Sequence, residues 1–259
     1  MRARTAGICF TASLIFFGAG CVDVRVVAED EKHLPDAGKS SYVSNKFISV
    51  SQKNTKNKHD YYIFTLLKGS AKLSLERPSR NDEKIVLSVP GTYTSPTDKP
   101  EGFVVLNGKI IQARERQAWN GAAFFRADGT VNIFETNNGK LLTKDYLKTV
   151  ENDSASLIQG HLLVHQGSAQ KMLAGTPYQR RALTLLKDGT TAIIESRDLL
   201  ELSVFAEDLV ELDVREAFNL DMGSWSEGWY RDPVSDDLKS IGYLQSATDR
   251  QSNWVIFTK

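Results

Sequence analysis

The sequence predicts an α+β fold: a single domain built on a mostly antiparallel mixed sheet with one or two packed helices. Three observations predict it. Short β-rich runs separated by polar breaks fill the chain from Phe47 onward. Asn-Gly and Asp-Gly dipeptides lie between apolar runs, as they do in tight hairpins. Helix signals occur in two places, so the helices are expected to pack on the sheet and not to alternate with its strands.

The N-terminal residues predict export through a lipoprotein-type signal peptide over residues 1–20. Arg2 and Arg4 precede a short apolar run, Ile8–Phe17, and the small residues 18–20 lead into Cys21. The run is too short for a comfortable membrane span. Small residues directly before a cysteine resemble the lipobox of bacterial lipoproteins, which implies lipidation of Cys21. Ordinary signal cleavage nearby, leaving a soluble periplasmic protein, is the alternative.

Residues 21–46 are predicted to form a flexible tether, and residues 47–259 the domain. The tether segment is polar and mixed and contains Pro35–Gly38. Val22 follows the cysteine, and this residue does not suggest retention at the inner membrane. The predicted location is therefore the periplasmic side of the cell envelope, at the outer membrane, with the lipid as the only membrane contact.

Composition excludes several classes of protein. Lys and Arg together number 32, as do Asp and Glu, so no net field favours nucleic acid. The chain has two cysteines. Cys9 lies inside the signal and Cys21 is the expected lipid site, so disulfides and cysteine metal sites are not expected. The sequence does not identify a cofactor.

The strands are predicted from β-rich runs and turn dipeptides. The runs in the first half of the domain are Phe47–Val50, Tyr61–Leu67, Lys72–Leu75 and Lys84–Val89. Three dipeptides, Asn107-Gly108, Asp128-Gly129 and Asp188-Gly189, each lie between apolar runs and predict three tight hairpin turns.

Two helices are predicted. Thr143–Val150 forms a short one. Ser203 is expected to cap a longer one, because Phe205, Leu209 and Leu212 follow at helical spacing and share one apolar face. That face is expected to pack on the sheet.

The stretch Ala217–Ser226 is the most informative for function. A short apolar run stops at Asp221, and a turn with one glycine and two serines follows. The run predicts a buried strand that ends at the carboxylate. Such a carboxylate can face a cleft, with backbone N–H groups of the turn directed at an anion. The alternative is an aspartate that opens a turn by bonding its own backbone.

Two further polar positions could bind a phosphate or a sugar. Arg180 and Arg181 precede the last Asp-Gly hairpin, and a guanidinium binds phosphate through paired hydrogen bonds. An exposed pair on a strand edge is the alternative. Asn120 precedes the Asp128-Gly129 hairpin and could bond a sugar hydroxyl or a phosphate oxygen, or simply shape a turn.

Histidines and aromatic residues give weaker signals. His161 and His165 are separated by Leu-Leu-Val, which predicts a strand with both on one face. Two histidines without a third ligand do not make a zinc site, so no metal is expected. Trp225, Trp229 and Tyr230 follow Asp221; such aromatic residues either stack on sugars or pack in the core.

Taken in order, five segments resemble the phosphodiester glycosidase domain family. The segments are Pro100–Lys109, Asn120–Phe125, Gly160–Gly167, Arg180–Thr184 and Ala217–Asp221, and the resemblance spans roughly residues 84–230. Four parts of the chain depart from the family pattern. The family's Asn-Ala-Gly segment appears as Ser88–Tyr93, and its Gln-Ser-Gly-Pro element appears as Ile158–His161, with Gln159 in place of the glutamine if the register shifts. Met222 and Thr184 stand where the family has glycine.

The resemblance implies hydrolysis of a sugar-1-phosphodiester to free sugar and a phosphomonoester. It implies that Arg180 contacts the phosphate, that Asp221 acts in acid–base work or stabilises a carbocation, and that Asn120 orients the substrate. Arg180 and Asp221 are then expected to share a cleft, where their opposite charges would keep Asp221 ionised and favour a low pKa for it. Small residues of the same motifs are expected to bind substrate: Gly121, Gly160, Gly223 and Ser224. The expected partner is a glycan or sugar phosphodiester.

Two other functions fit the same sequence. One is a non-catalytic descendant of the family that binds an envelope glycan or a protein, which the residues at 222 and 184 favour. The other is a structural envelope lipoprotein whose cleft is filled by its own side chains.

Overall fold

The computed structural model describes residues 41–114, 116–222, 226–242 and 248–259. Within them the α+β prediction is confirmed. The strands in chain order are β1 (Tyr42–Ser44), β2 (Ile48–Asn54), β3 (Asp60–Leu66), β4 (Ser70–Ser74), β5 (Ile85–Pro90), β6 (Phe103–Leu106), β7 (Lys109–Ala113), β8 (Gly121–Phe125), β9 (Val131–Glu135), β10 (Ser156–Gly160), β11 (Leu162–His165), β12 (Ser168–Ala169), β13 (Arg181–Leu186), β14 (Thr191–Ser196), β15 (Val214–Asn219), β16 (Gly228–Arg231), β17 (Leu238–Ile241) and β18 (Trp254–Thr258). The helices are α1 (Lys144–Asn152) and α2 (Leu202–Glu211), with one 3₁₀ turn at Thr248–Arg250.

The strands form three sheets, where the sequence predicted one. Their orders are β1-β2-β3-β14-β13-β15-β11-β12, β7-β6-β10-β8-β9 and β17-β16-β5-β18-β4. The pairings between the described strands are antiparallel. The runs predicted in the first half of the domain are confirmed as β2 to β5. Strand β1 lies before Phe47, the predicted start of the domain, and pairs with β2.

The three sheets enclose one central core. Side chains from all three meet there, among them Phe64 of the first sheet, Ile158 of the second and Leu87 of the third. Since successive strand residues point to opposite faces, the outer faces remain to be covered. Helix α2 covers one face of the first sheet and α1 one face of the second.

Both predicted helices are present, but one cap differs. Thr143 caps α1, and its hydroxyl accepts the N–H of Tyr146 at 3.2 Å. Helix α2 begins at Leu202, so Ser203 lies inside its first turn and the predicted Ser203 cap is wrong. Glu201 is the cap residue instead, because its extended backbone carries the chain into the helix.

The three predicted hairpin turns are confirmed, and they are of two kinds. Asn107 and Gly108 both have positive φ, 47° and 79°, and directly join β6 to β7. In the two Asp-Gly hairpins the glycine alone has positive φ. In the first of these hairpins, residues 126–129 form a turn closed by a hydrogen bond from the N–H of Gly129 to the carbonyl oxygen of Arg126, and the second hairpin has the corresponding turn. One further residue separates each turn from the next strand. These two loops are therefore longer than the one at Asn107-Gly108.

Candidate active site

The candidate site is built where several strands begin or end at one edge of the fold. Strand β15 ends between the starts of β13 and β11, with Asn219 opposite Ala182 and Phe218 opposite Leu162. The N–H of Leu220 donates to the carbonyl oxygen of Arg181 at 3.0 Å. Arg181 and Leu220 are therefore opposite each other. Arg180 precedes Arg181 and Asp221 follows Leu220, so this register places Arg180 and Asp221 at neighbouring backbone positions.

The segment after β5 completes this edge. The N–H of Asp221 donates to the carbonyl oxygen of Gly91 at 2.7 Å. The side chain of Asn219 donates from Nδ2 to the hydroxyl oxygen of Tyr93 at 2.8 Å. Two hydrogen bonds therefore hold residues 91–93 against residues 219–221, although the two segments belong to different sheets.

Asp221 is 4% exposed, and burial raises the pKa of its carboxyl group to about 7. The backbone N–H groups of Met222 and Thr94 oppose that rise in pKa, and so does the charge of Arg181. Oδ1 accepts from Met222 at 2.9 Å, whereas Oδ2 is buried without a hydrogen-bond partner in the described residues. The sequence-based expectation that Arg180 lowers the pKa of Asp221 is wrong, because burial dominates and the nearby arginine is Arg181.

Arg180 is half-buried, and its guanidinium already forms hydrogen bonds to the protein backbone. Its Nε donates to the carbonyl oxygen of Leu200 and its Nη2 to that of Thr176, both at 2.8 Å. The guanidinium lies 5.5 Å from the ring centre of Tyr178. Burial lowers the pKa of Arg180. Arg180 and Asp221 form no direct ion pair in the described residues, yet both charges act on the pKa of Tyr93, so both lie near that hydroxyl.

Arg181 has a separate structural role that the sequence analysis did not assign. Its side chain is fully buried and pairs with Glu195, to which Nε donates at 2.6 Å. Nη2 donates to the carbonyl oxygen of Ser226. Burial raises the pKa of Glu195, and Arg181 opposes that rise. The charge of Arg181 also acts on the carboxyl group of Asp221. Nη1 of Arg181 is buried without a hydrogen-bond partner in the described residues.

Asn120 lies at the same edge, directly before β8. Its Oδ1 accepts the N–H of Leu162, the first residue of β11, at 3.3 Å. The side chain therefore bridges the second sheet and the first. Among the described residues its Nδ2 donates no hydrogen bond, which leaves an amide donor for a ligand.

Gly121 and Gly160 are buried, and both are required by packing. A Cβ at Gly121 would lie 2.8 Å from the backbone nitrogen of Leu162, and one at Gly160 would lie 2.6 Å from the ring of Phe218. Their substrate-binding role stays a prediction. The predicted binding residues Gly223 and Ser224, and the predicted lipid site Cys21, lie outside the described residues.

Three rings form an aromatic wall at this edge: Tyr93, Trp119 and His161. Their centres are 5.1 Å apart for Tyr93 and Trp119, 5.9 Å for Tyr93 and His161, and 5.7 Å for Trp119 and His161. Burial lowers the pKa of His161, which keeps the imidazole neutral at pH 7. His161 is the single residue that links β10 to β11, so its position follows from the chain crossing between sheets.

The buried Gln159 fixes the loop that carries Trp119. Its Nε2 donates to the carbonyl oxygens of Arg116 and Trp119 at 2.9 and 3.0 Å, and its Oε1 accepts the N–H of Arg116 at 3.0 Å. Sequence reasoning noted Gln159 only as a motif departure. A glutamine inside an apolar strand was the available signal, because a buried amide needs partners.

The other sequence candidates lie elsewhere. His165 bonds Glu216 at 2.9 Å, whereas His161 contacts Tyr93 and Trp119, so the two histidines do not come together. Trp229 is buried and Tyr230 packs against Phe64 in the central core. These two aromatic residues therefore take the packing alternative, and Trp225 lies outside the described residues.

Comparison with known proteins places this arrangement among related folds. The family described as phosphodiester glycosidase matches residues 83–254. The catalytic domain of zebrafish N-acetylglucosamine-1-phosphodiester alpha-N-acetylglucosaminidase, auto-inhibited by its pro-peptide, is similar with a TM-score of 0.58 and 16% identity, over 86% of this chain and 85% of that chain. A hypothetical protein from Synechocystis has a TM-score of 0.56 and 13% identity, over 86% of this chain and 64% of that chain. No curated protein sequence matches this one.

Proposed function

The chain belongs to the phosphodiester glycosidase family, and we propose that it hydrolyses a sugar-1-phosphodiester to free sugar and a phosphomonoester. The observation that carries the proposal is Asp221: a carboxyl group 4% exposed, fixed at a strand end, with a pKa raised to about 7. A group with that pKa exchanges protons at neutral pH, as acid–base catalysis needs. Arg180 lies at the neighbouring backbone position.

The reaction breaks the bond between the anomeric carbon and the phosphate oxygen. The electron pair leaves with the phosphate, positive charge develops on the sugar, and water adds at the anomeric carbon. Asp221 in its ionised form stabilises that positive charge and accepts the proton of the attacking water. Arg180 stabilises the leaving phosphate, and the free amide donor of Asn120 orients a sugar hydroxyl.

The proposed site of action is the periplasmic side of the envelope. The basic start, the apolar run Ile8–Phe17 and the small residues before Cys21 support lipid anchoring through that cysteine. The lipid would hold the domain at the outer membrane, where glycan phosphodiesters are the proposed partners.

The test uses N-acetylglucosamine 1-(methyl phosphate) and the purified full-length protein in water enriched in ¹⁸O. Cleavage at the anomeric carbon yields methyl phosphate without ¹⁸O, because water adds to the sugar. Attack at phosphorus would place ¹⁸O in the phosphate product. Mass spectrometry of the phosphate product separates the two, and labelled phosphate or no turnover of this and related hexose 1-(methyl phosphates) would reject the proposal.

A non-catalytic glycan-binding role is the second candidate. It is favoured by the engagement of Arg180 with two backbone carbonyl oxygens and by Met222 beside Asp221. Such a protein would bind the same diesters without turnover. Equilibrium binding of an intact diester by the wild-type protein, with no product after prolonged incubation, would favour this role over hydrolysis.

A further inference from the structure

The backbone segment that carries Tyr93 is hydrogen-bonded to two other parts of the chain. Gly91 accepts the N–H of Asp221 at 2.7 Å and donates its own N–H to the carbonyl oxygen of Asn253 at 3.0 Å. Oδ1 of Asn253 accepts the N–H of Thr92 at 2.7 Å. A Cβ at Gly91 would lie 2.1 Å from that Oδ1. The Tyr93 backbone is therefore positioned relative to Asp221 by the fold, before any ligand binds.

The side chain of Tyr93 is equally constrained. Its ring contacts Trp119 and His161, and its hydroxyl oxygen accepts a 2.8 Å hydrogen bond from Nδ2 of Asn219. A tyrosine hydroxyl can accept one bond and also donate one. In the described part of the chain Tyr93 donates to no acceptor, so its proton is available to a ligand at this edge.

The charges around Tyr93 favour its protonated form. Burial and the negative charge of Asp221 raise the pKa of Tyr93 to about 12, and Arg180 opposes the rise. The hydroxyl therefore keeps its proton throughout the neutral range. The carboxylate assigned to the sugar and the guanidinium assigned to the phosphate therefore both act on this hydroxyl.

We propose that Tyr93 is a catalytic residue whose hydroxyl donates a hydrogen bond to a phosphoryl oxygen of the bound diester, beside Arg180. This rests on the proposed function. As the bond from the anomeric carbon to oxygen breaks, its electron pair moves onto the phosphate. The Tyr93 hydrogen bond strengthens as that charge develops, and the proton stays on Tyr93. A preorganised donor of this kind accelerates the step because it needs no reorganisation.

The first test compares Tyr93→Phe with Tyr146→Phe. Phenylalanine keeps the ring contacts of Tyr93 and removes only the hydroxyl. Tyr146 lies on α1, packs against Phe134 and serves as the matched control. With N-acetylglucosamine 1-(methyl phosphate) we expect kcat to fall about 100-fold in Tyr93→Phe and to stay unchanged in Tyr146→Phe. A kcat within twofold of wild type in Tyr93→Phe would overturn the proposal.

A third variant separates donation from structural support. Asn219→Ala loses the same bond to Tyr93 as Tyr93→Phe does, but it keeps the Tyr93 hydroxyl. We expect a similar fall in Tm for both variants and a clearly smaller loss of kcat in Asn219→Ala. An equal loss of kcat in the two would show that the bond to Asn219, and not donation to substrate, accounts for the effect.

Inorganic phosphate keeps the proposal testable if the wild-type protein proves inactive. We expect the Kd for phosphate, measured by titration calorimetry, to rise about tenfold in Tyr93→Phe and to be unchanged in Tyr146→Phe. That result without turnover would reject hydrolysis and would support Tyr93 as a hydrogen-bond donor to phosphate. Equal Kd values in both variants would overturn the Tyr93 proposal, and a wild-type protein with neither turnover nor phosphate binding would overturn both.

Discussion

The main-chain N–H of Asp221 donates a 2.7 Å hydrogen bond to the carbonyl oxygen of Gly91, which joins the end of β15 to the segment after β5. This bond, with that between Asn219 and Tyr93, holds the carboxylate inside the protein. The geometry does not depend on a ligand. The fold therefore carries the cost of burying an ionisable group, and that cost is measurable as a dependence of stability on pH.

Replacement of Asp221 by asparagine should stabilise the protein at alkaline pH. The pKa of Asp221 is raised from 3.8 to about 7 in the folded state, so the folded state binds more protons between those values. The free energy of unfolding therefore falls as pH rises from about 4 to about 7. Asparagine carries no charge, so Asp221→Asn should be more stable than wild type at pH 8 by on the order of 1–4 kcal/mol.

Urea denaturation at pH 8 and at pH 4 checks this expectation. The difference between Asp221→Asn and wild type should shrink toward zero at pH 4, where the wild-type carboxyl group is protonated in the folded state. A difference of the same size at both pH values would contradict a raised pKa.

Gly160→Ala should destabilise the protein, because the new Cβ would lie 2.6 Å from the buried ring of Phe218. Overpacking of this kind costs about 1–3 kcal/mol. Gly175→Ala is the matched control, since a Cβ at Gly175 meets no atom within 4 Å among the described residues. Thermal melting of both variants measures the difference, and equal Tm values would show that the backbone at Gly160 moves to make room.

The sequence predicted the edge at which the site lies but not the residues that surround Asp221. Hydrophobic runs and turn dipeptides mark strand ends, and so they located Arg180 and Asp221. Tyr93 reaches Asp221 through contacts between segments more than 100 residues apart, and no local pattern encodes them. A different role for Arg181 than for Arg180 could be predicted in part, because consecutive side chains of a strand point to opposite faces of the sheet.

The pKa of Asp221 was mispredicted for a physical reason. Sequence proximity to arginines suggested a low value, yet burial is a property of the assembled sheets. Met222 follows Asp221 where the family has glycine, and it is partly exposed. The sequence therefore identified the departure from the family pattern without its consequence for the buried carboxylate.

Leu209→Ala should destabilise the fold by about 2–5 kcal/mol, the usual cost of a cavity in a packed core. Leu209 lies on α2 and is fully buried against the first sheet. Leu199→Ala is the control, because Leu199 is 62% exposed. Chemical denaturation of both variants measures the cost, and a loss near zero at Leu209 would mean that α2 does not pack as described.

Cys21→Ser should move the protein from the membrane fraction to the soluble fraction. Lipid attachment requires the thiol, and the signal region before it is too short to span the bilayer. Cell fractionation with immunoblotting measures the change, and Cys9→Ser, inside the signal, serves as the control. Membrane association that persists in Cys21→Ser would exclude a lipid anchor at this residue.

Arg180→Lys should weaken substrate binding and should also lower the stability of the protein. Two nitrogens of Arg180 are bonded to the carbonyl oxygens of Leu200 and Thr176. An ammonium group cannot keep both bonds and also pair with a phosphate, because it lacks the planar fork of the guanidinium. We expect KM for N-acetylglucosamine 1-(methyl phosphate) to rise about tenfold, together with a lower Tm.

Arg197→Lys is the control for this last substitution, since Arg197 also lies over a tyrosine ring, 5.6 Å from the centre of Tyr62. It should leave KM unchanged. A fall in Tm for Arg180→Lys with KM equal to that of wild type would show that Arg180 only fastens the backbone at Leu200 and Thr176. In that case the phosphate would need another cation, and a binding role without catalysis would gain weight over hydrolysis.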